Sequence, residues 1–230
     1  MKKIYRLFRR AFARHSMLAP GDRVCIAVSG GMDSMALATI MKEYHHPIPV
    51  ELFAVHVDQG FTGWDPSFIE DYMKEIELPL KVVKTDTARE LPSAEAPCFL
   101  CSFERRKTIF YTAEELGCNK IAYAHTRDDV VENILMNVLY HGEFASLSPN
   151  QSFFGGHFYV IRPLFYVDKE LIKEFVKEKK IPYRENPCPY KHDTKREKVR
   201  KLLKELVEEN PEIKHSIFAS QFHIKKEFLP

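Results

Sequence analysis

Val24-Cys25-Ile26-Ala27-Val28-Ser29-Gly30-Gly31-Met32-Asp33-Ser34 decides the reading of this chain. The apolar run predicts a buried strand, and the Gly-rich turn after it joins that strand to a helix N-terminus. Glycines let consecutive backbone N–H groups converge on an oxyanion, and the helix dipole favours negative charge there. Ser29 and Ser34 add hydroxyl donors, so the natural guest is a polyphosphate. Asp33 would repel bare phosphate, and its presence implies a Mg²⁺ ion bridging carboxylate and phosphate.

Outward from this turn, apolar runs predict further strands at Val50–Val57, Leu80–Val83, Lys120–Ala124 and Tyr159–Ile161. Helical patterns fill the gaps at Met35–Tyr44, Pro66–Ile76, Ser102–Leu116, Asp129–Tyr140 and Lys169–Lys179. The alternation predicts an α/β fold with a mainly parallel five-stranded sheet flanked by helices. Ligands of such sheets bind beyond the C-terminal strand ends, where the first turn, His56-Val57-Asp58 and His125 all fall. Residues 87–97 and 142–158 read as flexible connections.

The chain has 230 residues, 45% hydrophobic and 29% charged, enough for a sizeable core. No stretch has the length of a bilayer span and no hydrophobic leader follows the N-terminus, so a cytosolic setting without membrane attachment is expected. Net charge is only +2, but it is unevenly distributed. Lys2, Lys3, Arg6, Arg9, Arg10 and Arg14 overlie Ile4, Leu7, Phe8 and Phe12 at helical spacing, which reads as a basic helix rather than a transit peptide. A second basic block, Lys195 to Lys204, opens a late helix, and both blocks are suited to contacting phosphates, although such runs are more often solvated faces. The expected divisions are a basic N-terminal helix over 1–19, a nucleotide-binding α/β domain over 20–186, and a C-terminal helical segment over 187–230.

Five cysteines in a chain without an export signal point to metal or redox chemistry rather than a disulfide framework. Cys98-Phe99-Leu100-Cys101 is a CxxC immediately before a helix, and Cys188 lies in the turn-like Asn186-Pro187-Cys188-Pro189. Cys25, inside the first strand, and Cys118, at a helix end, read as structural. His192 could complete a three-cysteine, one-histidine zinc site with Cys98, Cys101 and Cys188. An iron-sulfur cluster on the same three thiolates would leave one iron without a protein ligand.

The Ser29–Ser34 string resembles the PP-loop of the ATP pyrophosphatase superfamily, whose members cut ATP between its α and β phosphates and use the AMP to activate a carbonyl oxygen. It lacks the Lys-Ser/Thr ending of a Walker loop, and Met32 stands where sulfur-inserting members often carry Lys. The combination resembles the tRNA 2-thiolation branch, which includes the tRNA 2-thiocytidine synthetase and the tRNA 5-methyluridine 2-sulfurtransferase. It comprises Pro20-Gly21-Asp22-Arg23, the PP-loop, the CxxC, Ala124-His125-Thr126-Arg127-Asp128-Asp129, Ile161-Arg162-Pro163-Leu164 and Pro187-Cys188-Pro189.

This resemblance implies an adenine nucleotide alpha-hydrolase-like, Rossmann-like domain, ATP with Mg²⁺, and a 4Fe-4S cluster on Cys98, Cys101 and Cys188. It places Ala27, Ser29, Gly30, Gly31, Asp33 and Ser34 around the ATP phosphates and the backbone of Val57 and Ala124 near the adenosine. Asp129 and Arg105 are its catalytic candidates: Asp129 to bind Mg²⁺ or align the nucleotide, Arg105 to neutralise phosphate charge during adenylation. Implied partners are tRNA and a sulfur donor such as a cysteine desulfurase or free sulfide, and a homodimer is compatible with the resemblance. The expected reaction adenylates the C2 oxygen of a tRNA pyrimidine and displaces AMP with sulfide carried on the cluster. Cytidine is the favoured base, because the chain has no cysteines for the paired terminal zinc motifs of the 5-methyluridine enzymes. Lys191 departs from the second downstream CxxC of the 2-thiocytidine enzymes. A lysidine-type tRNA ligase, a zinc-bound nucleotide sensor and a small-molecule sulfurtransferase are the alternatives.

Overall fold

A computed structural model of the chain describes residues 1–191, 194–225 and 227. The strands are β1 (Arg23–Ala27), β2 (Glu51–Asp58), β3 (Leu80–Lys84), β4 (Lys120–Ala122), β5 (Asn150–Phe153) and β6 (Phe158–Ile161). The helices are α1 (Lys2–His15), α2 (Met32–Glu43), α3 (Ser67–Glu75), α4 (Thr87–Glu90), α5 (Pro97–Glu115), α6 (Arg127–His141), α7 (Lys169–Lys179), α8 (Lys195–Glu209) and α9 (Ile213–Ser220). The sheet has the order β3-β2-β1-β4-β6-β5, parallel except for the β5–β6 pair.

The expected five strands therefore become six. The extra strand is the edge β5, inside the connection read as a loop. Its sequence, Asn-Gln-Ser-Phe, is polar and half-exposed, so no apolar run announces it. The other connection, 87–97, likewise holds α4, a 3₁₀ turn at Leu91–Ser93 and the start of α5. That helix begins at Pro97 rather than Ser102, so the CxxC lies inside its first turns and not before it. Proline at the first helical position sets this start, because its missing N–H has no helical partner to lose there.

β1 is buried on both faces, as a central parallel strand must be. Val24, Ile26 and Val28 enter one core with residues of α1, α2, α6 and α7, while Cys25 and Ala27 face α5 through Ile109 and Ala113. Both long basic helices join the first core: Ile4 and Phe8 of α1 are fully buried, and Val199 and Leu203 of α8 reach it beside Phe218 of α9. Among the described residues no helix is long and apolar enough to cross a membrane.

Strand order reverses at β1, with β2 and its successor β3 on one side and β4 on the other. The loops after β1 and β4 consequently diverge around a crevice, the usual ligand position in such sheets.

Phe8 packs edge-on against Phe12 and Tyr44, with centroids 4.6 and 5.1 Å away. Phe8→Ala should cost about 3–5 kcal/mol in urea denaturation; a loss below about 1 kcal/mol would mean that α1 is a detachable appendage.

Candidate active site

Gly31 caps α2, and the turn before it is built around Gly30, whose φ is +83°. A Cβ on Gly30 would lie 2.9 Å from both Ile69 Cδ1 and Trp64 Cη2, so neither the backbone angle nor the space admits a side chain. Within the turn, Ser34 Oγ donates to Gly31 O at 2.9 Å and accepts from Ser29 N at 3.0 Å. The amides of Gly30, Met32 and Asp33 have no acceptor among the described residues. These outward N–H groups at the positive end of α2 fit an anionic polyphosphate.

The turn is braced from β2. Trp64 Nε1 donates to His56 Nε2 at 3.2 Å, so the His56 proton resides on Nδ1, which donates to Val28 O at 2.8 Å. Burial lowers the His56 pKa, keeping the ring neutral in this relay.

Asp33 projects from the first turn of α2, and its Oδ1 is buried without a hydrogen-bond partner. Burial pushes its pKa up to about 6, against the pull of Lys169 and with repulsion from Asp129 and Asp128. An unpartnered carboxylate beside a phosphate cradle fits a divalent cation, which would supply the missing positive charge.

Asp129 is differently placed. Its Oδ2 accepts from Thr126 N and Oγ1, both at 2.8 Å, completing a capping box that starts α6. Its Oδ1 accepts from Lys169 Nζ at 3.0 Å, in an ion pair with side chains 13% and 26% exposed. Both oxygens are occupied, so Asp129 holds Lys169 and the residues after β4 in position, while Asp33 has no ion pair among the described residues. The sequence carries one signal for Lys169: it stands at the first residue of α7, where the helix dipole disfavours a cation.

The thiols gather above the β2 side of the crevice. Cys98 and Cys101 lie three residues apart in α5, and Gln59, just beyond β2, places Nε2 3.2 Å from Cys101 Sγ and 3.0 Å from Cys101 O. The segment after α7 returns across the phosphate turn: Arg184 N donates to Gly30 O at 3.0 Å, and its guanidinium lies 4.8 Å from the Phe68 ring centroid. Cys188 follows, and Cys98 Sγ donates to Tyr190 O at 3.5 Å. Burial and the neighbouring thiols Cys188 and Cys101 raise the Cys98 pKa. Cys25 and Cys118 are buried against the sheet, with burial pushing Cys118 up to about 11, and are inert packing groups.

Among the described residues no three His, Cys, Asp or Glu side chains converge as tightly as a single metal ion requires. A polynuclear cluster is compatible with wider spacing, because each thiolate binds a different iron. His192, the candidate fourth zinc ligand, lies outside the described residues.

Across the crevice, β4 leads to Tyr123-Ala124-His125. Burial and the nearby Arg162 push His125 down to about 4. It accepts at Nδ1 from Arg162 Nε at 3.3 Å and is therefore neutral with its proton on Nε2. Arg162 is itself buried, donates to Ser148 O, and has no carboxylate partner among the described residues. Arg105, one turn beyond Cys101, likewise has no hydrogen bond or ion pair there; its charge acts on Tyr123 and His125. Arg105 thus lies between the thiols and the β4 end. Ala27, Val57 and Ala124 stand at or beside the C-terminal ends of β1, β2 and β4, around the same crevice.

The raised pKa of Asp33 has a stability signature. Native protein holds this proton from about pH 4 to 6 where the unfolded chain, with a value near 3.8, has released it. Stability therefore falls as pH rises through that window and stays lower above it. Asp33→Asn should raise the melting temperature of nucleotide-free protein by about 5 °C at pH 7.5, with roughly half that gain at pH 5, while abolishing nucleotide binding. Calorimetry at both pH values checks this, and a loss of stability at pH 7.5 would contradict it.

The PP-loop domain family matches residues 2–206. The tRNA-cytidine(32) 2-sulfurtransferase of Anaeromyxobacter sp. (strain K) is 32% identical over 230 residues, spanning 97% of this chain and 79% of its own. That of Geobacter sulfurreducens is 34% identical over 236 residues, spanning 99% and 92%. The U34-tRNA thiolase NcsA from Methanococcus maripaludis, solved with its 4Fe-4S cluster, shares the fold, with a TM-score of 0.79 and 24% identity over 94% of this chain and 76% of that one. Together with the phosphate turn and the three gathered thiols, these matches show that the chain belongs to the PP-loop family, in its tRNA 2-thiolation branch.

Proposed function

We infer that this protein is an ATP-dependent tRNA sulfurtransferase that replaces the C2 oxygen of a cytidine with sulfur. The observation that carries this reading is the Arg184 N to Gly30 O bond, which ties the segment leading to Cys188 to the phosphate turn and so supports a single site with two chemistries. The cytidine follows from relatives more than 30% identical that are named for cytidine 32, those of Anaeromyxobacter sp. (strain K) and Geobacter sulfurreducens among them.

In the first half-reaction the C2 oxygen attacks the α-phosphorus of ATP, releasing pyrophosphate and making the base oxygen a good leaving group. The amides of Gly30, Met32 and Asp33 and the Ser29 hydroxyl receive the phosphates, beside Ala27, Gly31 and Ser34, and the backbone at Val57 and Ala124 borders the adenosine. Asp33 would hold Mg²⁺, which offsets phosphate charge. Arg105 meets charge that develops at the α-phosphate, and Asp129 positions Lys169 beside Asp33.

In the second half-reaction sulfide forms the C2–S bond and AMP departs with the former C2 oxygen. Cys98, Cys101 and Cys188 would hold a 4Fe-4S cluster, which supplies an iron without a protein ligand as a place to keep sulfide. Gln59 orients Cys101 through its thiol and its carbonyl. The partners on this reading are tRNA and a sulfur donor, either a cysteine desulfurase or free sulfide, in the cytosol where thiols stay reduced.

Anaerobically reconstituted protein given ATP, Mg²⁺, sulfide and tRNA should yield 2-thiocytidine by nucleoside mass spectrometry. Cys188→Ala should lower iron content and reduce the product to background while leaving ATP affinity within about twofold. Undiminished 2-thiocytidine from Cys188→Ala would overturn the reading.

A further inference from the structure

The outer face of α5 carries a feature that sulfur transfer by itself does not use. Phe99 and Phe103, four residues apart, lie with ring centroids 6.1 Å apart and planes at 17°, and they are 66% and 46% exposed. The side of α5 that meets the sheet is supplied instead by Ile109, Thr112 and Ala113. Arg106 continues the outer stripe three residues after Phe103; it is exposed, donates from Nε to Ser102 O, and has no carboxylate partner among the described residues. Between Pro97 and Phe110 the acid is Glu104, held by Lys107 at 2.9 Å, which leaves Arg105 and Arg106 uncompensated.

We propose that Phe99 and Phe103 form a stacking platform for unpaired bases of the substrate RNA, with Arg106 receiving the adjoining phosphate. The proposal rests on the tRNA reading above and identifies where the RNA lies. Aromatic faces beside uncompensated guanidinium groups suit single-stranded nucleic acid, whose bases stack while its phosphates are neutralised. The apolar core of a protein interface is instead depleted of charge. Position supplies the purpose: Phe99 adjoins the exposed Cys98 in the first turn of α5, so bases held on the rings bring the neighbouring nucleotide to the Cys98 side of the thiols. A base must leave its own stack to reach an enclosed reactive centre, and the rings replace the lost stacking for its neighbours.

A stem-loop RNA with 2-aminopurine beside the target cytidine reports stacking directly by fluorescence quenching. Titrated against anaerobically reconstituted full-length protein, it should be quenched on binding. Phe103→Ala should weaken binding about tenfold, and Phe99→Ala with Phe103→Ala about a hundredfold with loss of the quench. Phe103→Trp should retain both, and Phe103→Ala should keep its iron content and ATP affinity.

Equal RNA affinity and quenching in the double variant would overturn the platform, as would a dimer that the double variant dissolves without change in RNA affinity. If the parent thiolates and the double variant binds equally well, the platform alone fails. If the parent binds the stem-loop with quenching but forms no 2-thiocytidine, sulfur transfer fails and the platform stands.

Discussion

The backbone of Gly30 is the point on which the site depends. Its α-carbon lies against Trp64 and Ile69, its φ of +83° turns the neighbouring amides outward, and its carbonyl accepts the Arg184 amide. One peptide therefore shapes the phosphate cradle, takes the brace from β2 and anchors the segment that carries Cys188. A side chain at this position would disturb all three, because Trp64 also fixes His56 and through it Val28 at the end of the first strand.

Charge in the crevice is arranged unequally. Asp128 pairs with Lys214, Asp129 with Lys169, and Glu132 with Arg200, whereas Asp33 has no ion pair among the described residues; Asp33 Oδ1 and Glu132 Oε2 are both buried without a hydrogen bond. The paired acids hold α6, α7, α8 and α9 together, and the unpaired one is a cost that a cation can relieve. On the opposite wall Arg105 and Arg162 are the complementary case, cations without carboxylates around the neutral His125. Local stability spent on uncompensated charge is what a site for charged substrates requires.

Much of this was legible in the chain because it rests on local patterns. The apolar run before Ser29, the strand and helix alternation, and the basic N-terminal helix all survive in the structure, with boundaries shifted by a few residues. The edge strand β5 is invisible in the sequence because its polar residues carry no periodicity, and α5 starts ahead of its apolar pattern because Pro97 sets the helix N-terminus before the CxxC. The Gly-rich turn at 29–34 and the CxxC are local patterns in the sequence, Cys188 stands out by its flanking prolines, and grouping the three thiols is what the family resemblance implies. Lys169, Gln59, Trp64 and Arg162 were not assigned roles, since their meaning lies in contacts between segments far apart in sequence. Arg162 interrupts an apolar run and Lys169 opposes a helix dipole, and both are local irregularities that hint at such contacts. Gln59 offered no comparable signal.

Everything in the proposed chemistry requires the phosphate turn and the three thiols to share one site. A crystal structure of anaerobically reconstituted protein with Mg²⁺ and a non-hydrolysable ATP analogue, with anomalous data at the iron and zinc edges, tests it most directly. The expected result is iron density bounded by Cys98, Cys101 and Cys188, with the nucleotide phosphates on the Gly30, Met32 and Asp33 amides of the same crevice. A zinc signal among the thiols, or ordered thiols apart from any metal with the nucleotide in place, would contradict it.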